Sequence, residues 1–148
     1  MKNVTLEGLY NELEGIEAML DKAEGEGNEE LADKARAKYK NEFQPRLDEE
    51  EGLEFLFRQY KDMKVRGNER IDFDDMREGQ VGAIVDAMKR HGVREFTFSS
   101  GWTNAVEIMM VLQKHGCRMV EMVEVNDNHK KYGKTEFDKI PAVLFVIL

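Results

Sequence analysis

The sequence predicts an α/β fold, with α+β as the alternative. N-terminal helices pack on a small mixed three-stranded sheet, and the elements run in the order α-α-α-α-β-α-β-β. Three observations carry this. A segment occurs twice: Ala87 to Phe98 and Val111 to Met122 each read as helix end, turn and strand. In both copies a basic residue, His and Gly close the helix, and an apolar residue and Arg open the strand; Gly92 and Gly116 stand 24 residues apart. Two such units in tandem run their strands in the same direction, joined by a helix that crosses one face of the sheet. The second observation is a leading stretch of amphipathic helical spacing. The third is the unbroken apolar run Ala142 to Leu148, which fits a central strand buried on both faces and antiparallel to its neighbours.

In the first helix Leu6, Leu9, Leu13, Ile16 and Leu20 recur at helical spacing after Thr5, a plausible N-cap. Gly25 to Asn28 ends it, and Asn28 can cap a second helix with apolar positions Leu31, Ala35, Tyr39 and Phe43. Pro45 marks a kink or break. Asp48 to Glu51 suit the positive end of a third helix, whose Leu53, Leu56, Phe57, Tyr60 and Met63 face inward, so the acidic run needs no ligand. Arg66 to Arg70 is a turn between a helical half, residues 1–66, and an α/β half, residues 71–148; the whole of 1–148 is expected to form a single domain.

Asp72 or Asp74 can cap a fourth helix running to His91, where Gly92 supplies the left-handed stop and Val93 the apolar contact beyond it. Glu95 to Phe98 is the first strand. The next helix carries one charge, Glu107, between Ala105 and Leu112, so it is expected to be covered on both sides, by the sheet and by the N-terminal helices. A second copy of the chain is the alternative cover. Arg118 to Val125 is the second strand, Asn126 to Gly133 a polar connection, and Pro141 to Leu148 the third strand.

The chain has 148 residues, enough for a core that needs no metal or disulfide, and its single cysteine, Cys117, excludes an intramolecular disulfide. The start, Met1 to Thr5, lacks the apolar run of a secretory signal, and no stretch reaches the roughly 20 apolar residues of a membrane helix. A cytoplasmic protein without membrane contact is expected. A formal net charge of −8 repels phosphate backbones at long range and argues against general nucleic-acid binding. Two basic runs remain, Lys61 to Arg70 and His129 to Lys134, and neither carries the interleaved aromatics of a strand-binding groove.

The residues from Glu95 through the Phe98-Ser99-Ser100 segment to Glu107, then His115 to Cys117, Glu121 to Asn126 and Ile140 to Phe145, carry a resemblance. Over about residues 70–148 the chain resembles a family of small uncharacterised proteins of bacterial mobile elements, such as phages and conjugative transposons. The resemblance implies an accessory role in a bacterial cytoplasm and no particular activity.

The candidate site is the strand-to-helix corner Ser99, Ser100, Gly101, Trp102, Thr103 and Asn104, at the end of a strand where open sheets hold ligands and helix-start N–H groups can meet an anion. The plainer account is that Ser100 or Thr103 caps the helix, Gly101 permits the turn and Trp102 packs into the core. The corner matches neither a phosphate loop nor a nucleophile elbow, so no catalytic residue is assigned. His91 and His115 suit the negative ends of their helices, no metal-ligand spacing exists, and neither metal nor cofactor is expected. Cys117, just past a helix end, is a poor thiolate. Glu121 and Glu124 lie on opposite faces of their strand and cannot form a catalytic pair. Glu107 must reach solvent or pair with Arg94 or Arg118, while Met109, Met110, Met119 and Met122 read as soft core filling or as an adaptable partner surface.

These features favour a non-enzymatic accessory module that binds a protein partner or itself. The alternatives are a ligand-binding or enzymatic domain using residues 99–104, and nucleic-acid contact through the basic loop 129–134.

Overall fold

The computed structural model describes residues 5–130 and 135–148. Helix α1 (Leu6–Glu26) is opened by Thr5, whose hydroxyl accepts from the Gly8 N–H at 2.9 Å. Asn28 opens α2 (Glu29–Lys38) by accepting from the Leu31 N–H at 3.1 Å. Both caps satisfy donors that a helix start otherwise leaves empty. Winding then continues through one π turn, Tyr39–Phe43, into α3 (Gln44–Asp48). Pro45 has no N–H and crowds the carbonyl four residues back; the wider turn, closed from the Gln44 N–H to the Tyr39 carbonyl, accommodates it. The kink read from Pro45 is therefore a widening of the helix, not an end.

Helix α4 (Leu53–Arg66) joins the two halves, packing on α1 and α3 on one side and on the sheet on the other. Beyond it come β1 (Asp72–Phe73), a 3-10 turn at Glu78–Gln80, α5 (Val81–Arg90), β2 (Glu95–Phe98), α6 (Ala105–Lys114), β3 (Cys117–Lys130) and β4 (Phe137–Ile147). The sheet has four strands in the order β1-β2-β4-β3, one more than the sequence suggested. The addition is β1, parallel to β2: Asp72 pairs with Thr97 in a strand and does not cap a helix, and α5 starts only at Val81. A strand of two residues is too short to show a period, which is why the pattern hid it.

β4 lies between β2 and β3 and is antiparallel to both, so β2 and β3 run the same way, as the repeat required, without touching. The repeat survives in three dimensions: α5 and α6 both end at glycines with positive φ, 74° at Gly92 and 87° at Gly116. After the first, the Val93 N–H returns to the Met88 carbonyl at 2.9 Å, closing the helix as expected. β3 and β4 extend beyond their expected limits. Asn126 to Lys130 continue the β3 backbone, and residues 131–133 of the expected connection lie outside the described residues. Val120 is an extra residue in β3, since Met119 pairs with Phe145 and Glu121 with Leu144.

One cluster of buried apolar side chains runs from Leu6, Leu9 and Leu13 through Leu56 and Phe57 of α4 to Phe96 and Phe145 of the sheet. Its aromatic spine is Phe55 stacked on Phe73, Phe73 edge-on to Phe96 at 5.4 Å, and Phe96 stacked on Phe145 at 5.3 Å. Two expectations fail here. The N-terminal helices do not cover α6; they bury their stripes against one another and α4. Nor is α6 covered on both sides: Ile108 and Leu112 are buried, while Val106 and Met110 are 62% and 55% exposed. The sequence shows that a helix has an apolar face but not which neighbour will meet it.

Candidate functional site

The corner Ser99–Asn104 sits at the C-terminal end of β2, and its first residue is tied to β1. The Ser99 N–H donates to the Phe73 carbonyl at 2.9 Å and its hydroxyl to Asp72 Oδ2 at 2.5 Å, while the Thr97 hydroxyl donates to Asp72 Oδ1 at 2.7 Å. Asp72 and Thr97 are buried. Burial pushes the Asp72 carboxyl above its usual range, and the two hydroxyls and Arg66 offset this only in part. The sequence reading missed both partners; a carboxylate between the apolar Ile71 and Phe73 was the available signal.

The remaining corner residues do not converge. Ser100 Oγ accepts from the Trp102 N–H at 3.3 Å, whereas Gly101, Trp102, Thr103 and Asn104 are exposed. Asn104 occupies the N-cap position of α6 with no side-chain hydrogen bond, so neither Ser100 nor Thr103 caps that helix. Trp102 is 66% exposed and is not part of the core. A sequence offers no means of choosing between core and surface for a tryptophan at a turn. A buried carboxylate at the base of the corner also disfavours an anion there.

Other candidates are occupied by structure. Lys61 pairs with Glu17, Lys64 with Glu7, Arg66 with Asp62 and Asp74, and Arg70 with Glu95, so the first basic run is answered by the chain's own carboxylates. Lys130 lies 4.7 Å from the centre of the Phe137 ring, and residues 131–134 of the second run are outside the described residues. His91 Nε2 meets Glu50 Oε2 at 2.8 Å, and Arg90 also binds Glu50. His115 lies over Gly82, where even a Cβ would stand 3.1 Å from the ring. Among the described residues no group of three or more His, Cys, Asp or Glu side chains is placed to hold a metal ion. Burial pushes the Cys117 thiol up to about 11, and Glu107 is exposed.

What the structure does gather is apolar surface. Trp102, Val106 and Met110, four residues apart, are all exposed, as are Met119, Val120 and Met122 of β3, on which α6 packs. Of the four methionines expected to be soft core filling or an adaptable surface, Met110, Met119 and Met122 are on the surface, and Met109 is half-buried. A cleft of about 220 Å³ near the base of the corner is lined by Asn68, Arg70, Thr97, Asn126 and Lys139 among others, and by none of residues 99–104.

No helix among the described residues is long and apolar enough to cross a membrane. Neither a curated protein nor a solved structure matches the chain. A family model described as a domain of unknown function, DUF7698, matches residues 55–147, from within α4 to the end of β4, and the chain belongs to that family.

Proposed function

We propose that this chain is a non-enzymatic interaction module that associates with protein, in the first instance with a second copy of itself, through the open side formed by α6 and β3. The observation that carries this reading is the pair Val106 and Met110, exposed four residues apart on one flank of α6, with the exposed Trp102 in the turn just before that helix. Large apolar side chains gathered on a surface mark contact sites, and tryptophan and methionine suit them. The polar groups at the base of the corner support it too, since the Thr97 and Ser99 hydroxyls are both committed to Asp72. In this reading residues 1–148 act as one domain. The setting is the one implied by the resemblance, an accessory protein of a bacterial mobile element in the cytoplasm.

Trp102 is the only tryptophan, so its emission reports on this surface alone. Sedimentation and fluorescence of the full chain over a concentration series test the reading. Association should raise the mass and shift the Trp102 emission to the blue together. A constant monomer mass with unchanged emission up to the solubility limit overturns it.

A further inference from the structure

The two edges of the sheet are unlike. β1 is two residues long and buried, whereas β3 is long and its stretch Arg118, Met119, Val120, Glu121 and Met122 is exposed throughout. Edge strands are normally kept short or studded with charge on both faces. Within residues 118–122 the charge and the apolar groups are sorted by face. Arg118 pairs with Val146 and Glu121 with Leu144, two residues apart on β4, so Arg118 and Glu121 share one face. Met119 pairs with Phe145 and Met122 with Val143, so both methionines share the other. The extra residue, Val120, is what brings positions three apart into the same phase.

The methionine face is the one that carries α6, because Ile108 and Leu112 belong to the same buried cluster as Phe96, Phe145 and Cys117. An antiparallel pairing of β3 with β3 of a second copy, about a two-fold axis normal to the sheet, keeps the faces together. It therefore sets the methionines of both copies on one face and α6 of one copy beside α6 of the other. With the axis at Met119 and Val120, Arg118 of each copy falls opposite Glu121 of the other. Opposite charges directly across a strand pair attract, and any register that sets Glu121 against Glu121 is penalised.

We infer that β3 is a self-pairing edge: two copies join into a continuous eight-stranded sheet whose register is fixed by reciprocal Arg118–Glu121 pairs, with the exposed α6 residues meeting on the methionine face. The occupant is a second copy because the strand is complementary in charge to its own reverse. The inference rests on the self-association proposed above, and supplies its geometry.

Charge reversal tests it on the full chain by light scattering and sedimentation. R118E and E121R each place like charges opposite one another across the strand pair, which destabilises it, and should weaken the dimer about tenfold or more. The double variant R118E/E121R restores opposite charges and should recover the dimer. All four side-chain positions in the two copies are exposed, so thermal melting of the diluted variants should match the wild type. As a second measurement, M119C in a C117S background should form a disulfide between copies on mild oxidation. A wild-type monomer overturns both this inference and the proposed function. A dimer indifferent to the single reversals, or a double variant as weak as the singles, overturns the register alone, as would a dimer whose M119C variant does not cross-link. A chain that is monomeric alone but captures a different protein on β3 overturns self-pairing as well.

Discussion

Asn68 and Asn126 hold each other across the junction between α4 and β3. The Asn126 N–H donates to Asn68 Oδ1 at 2.9 Å, Asn68 Nδ2 donates to the Asn126 carbonyl at 3.2 Å, and Asn126 Nδ2 reaches the Arg66 carbonyl at 2.8 Å. The turn after α4, which a sequence reading takes for a boundary, is thus pinned to the sheet. N68A removes both bonds to the Asn126 backbone and should destabilise the protein by about 1–3 kcal/mol, the cost of leaving part-buried polar groups without partners. N126A removes only the bond to Arg66 and should cost less. Denaturant titration of both variants measures the ordering, and equal losses would contradict it.

The buried Asp72 predicts an unusual pH response. Its carboxyl is raised by burial, so the folded state holds a proton more readily than the unfolded chain. The stability this group contributes is therefore fully present below the ordinary carboxylate range and is lost as pH rises through its folded pKa. D72N keeps an acceptor for one hydroxyl and a donor for the other and should flatten that dependence. D72A strands the buried Thr97 hydroxyl and should cost about 1–3 kcal/mol at neutral pH. Thermal melts of the three proteins from mildly acid to neutral pH separate these outcomes.

The opposite sign holds at Glu50, next to the end of α5. Burial alone would raise its carboxyl, but hydrogen bonds from His91 and Arg90 outweigh burial and hold it below the usual value. Its stabilisation is present above the ordinary carboxylate pKa and fades as pH falls through the lowered one. E50Q should cost about 1 kcal/mol at neutral pH and nothing in acid, where wild type and variant should unfold together.

How much of this was legible beforehand follows from range. Thr5, Asn28, Gly92 and Val93 act on residues within five positions, so their roles could be read directly from local chemistry. The direction of β2 and β3 and the central place of β4 were legible because repeats and apolar runs are patterns in the chain itself. Asp72 with Thr97, Asn68 with Asn126 and Glu50 with His91 join residues 25 to 58 positions apart, and no local pattern marks such pairs. The candidate corner was placed correctly at a strand end, yet its partners came from β1, a strand too short to announce itself.

Trp102 offers the plainest test of surface against core. At 66% exposure its truncation removes little packing, and W102A should change stability by no more than about 0.5 kcal/mol. A core tryptophan would cost about 3–5 kcal/mol. The dilute wild-type protein should also emit like an indole in water. A loss in the core range, or a strongly blue emission in the monomer, would place Trp102 inside.

Gly52 should be the least replaceable of the described glycines. It precedes α4 with φ at +83°, a conformation that costs a residue with a Cβ roughly 1–2 kcal/mol. It also faces α5 at close range: a Cβ would stand 2.7 Å from the Ala83 carbonyl oxygen and 2.9 Å from its carbon, inside any tolerable contact with backbone. Gly92 has a similar φ, +74°, but a Cβ there meets nothing within 4 Å. G92A should therefore cost only the conformational strain, while G52A must also push α5 away from α4 and lose contacts in the buried cluster that α4 anchors. The expected order is a loss of about 1 kcal/mol for G92A and well beyond that for G52A. Equal midpoints for the two variants in urea would mean that α4 and α5 do not approach as closely as Gly52 allows.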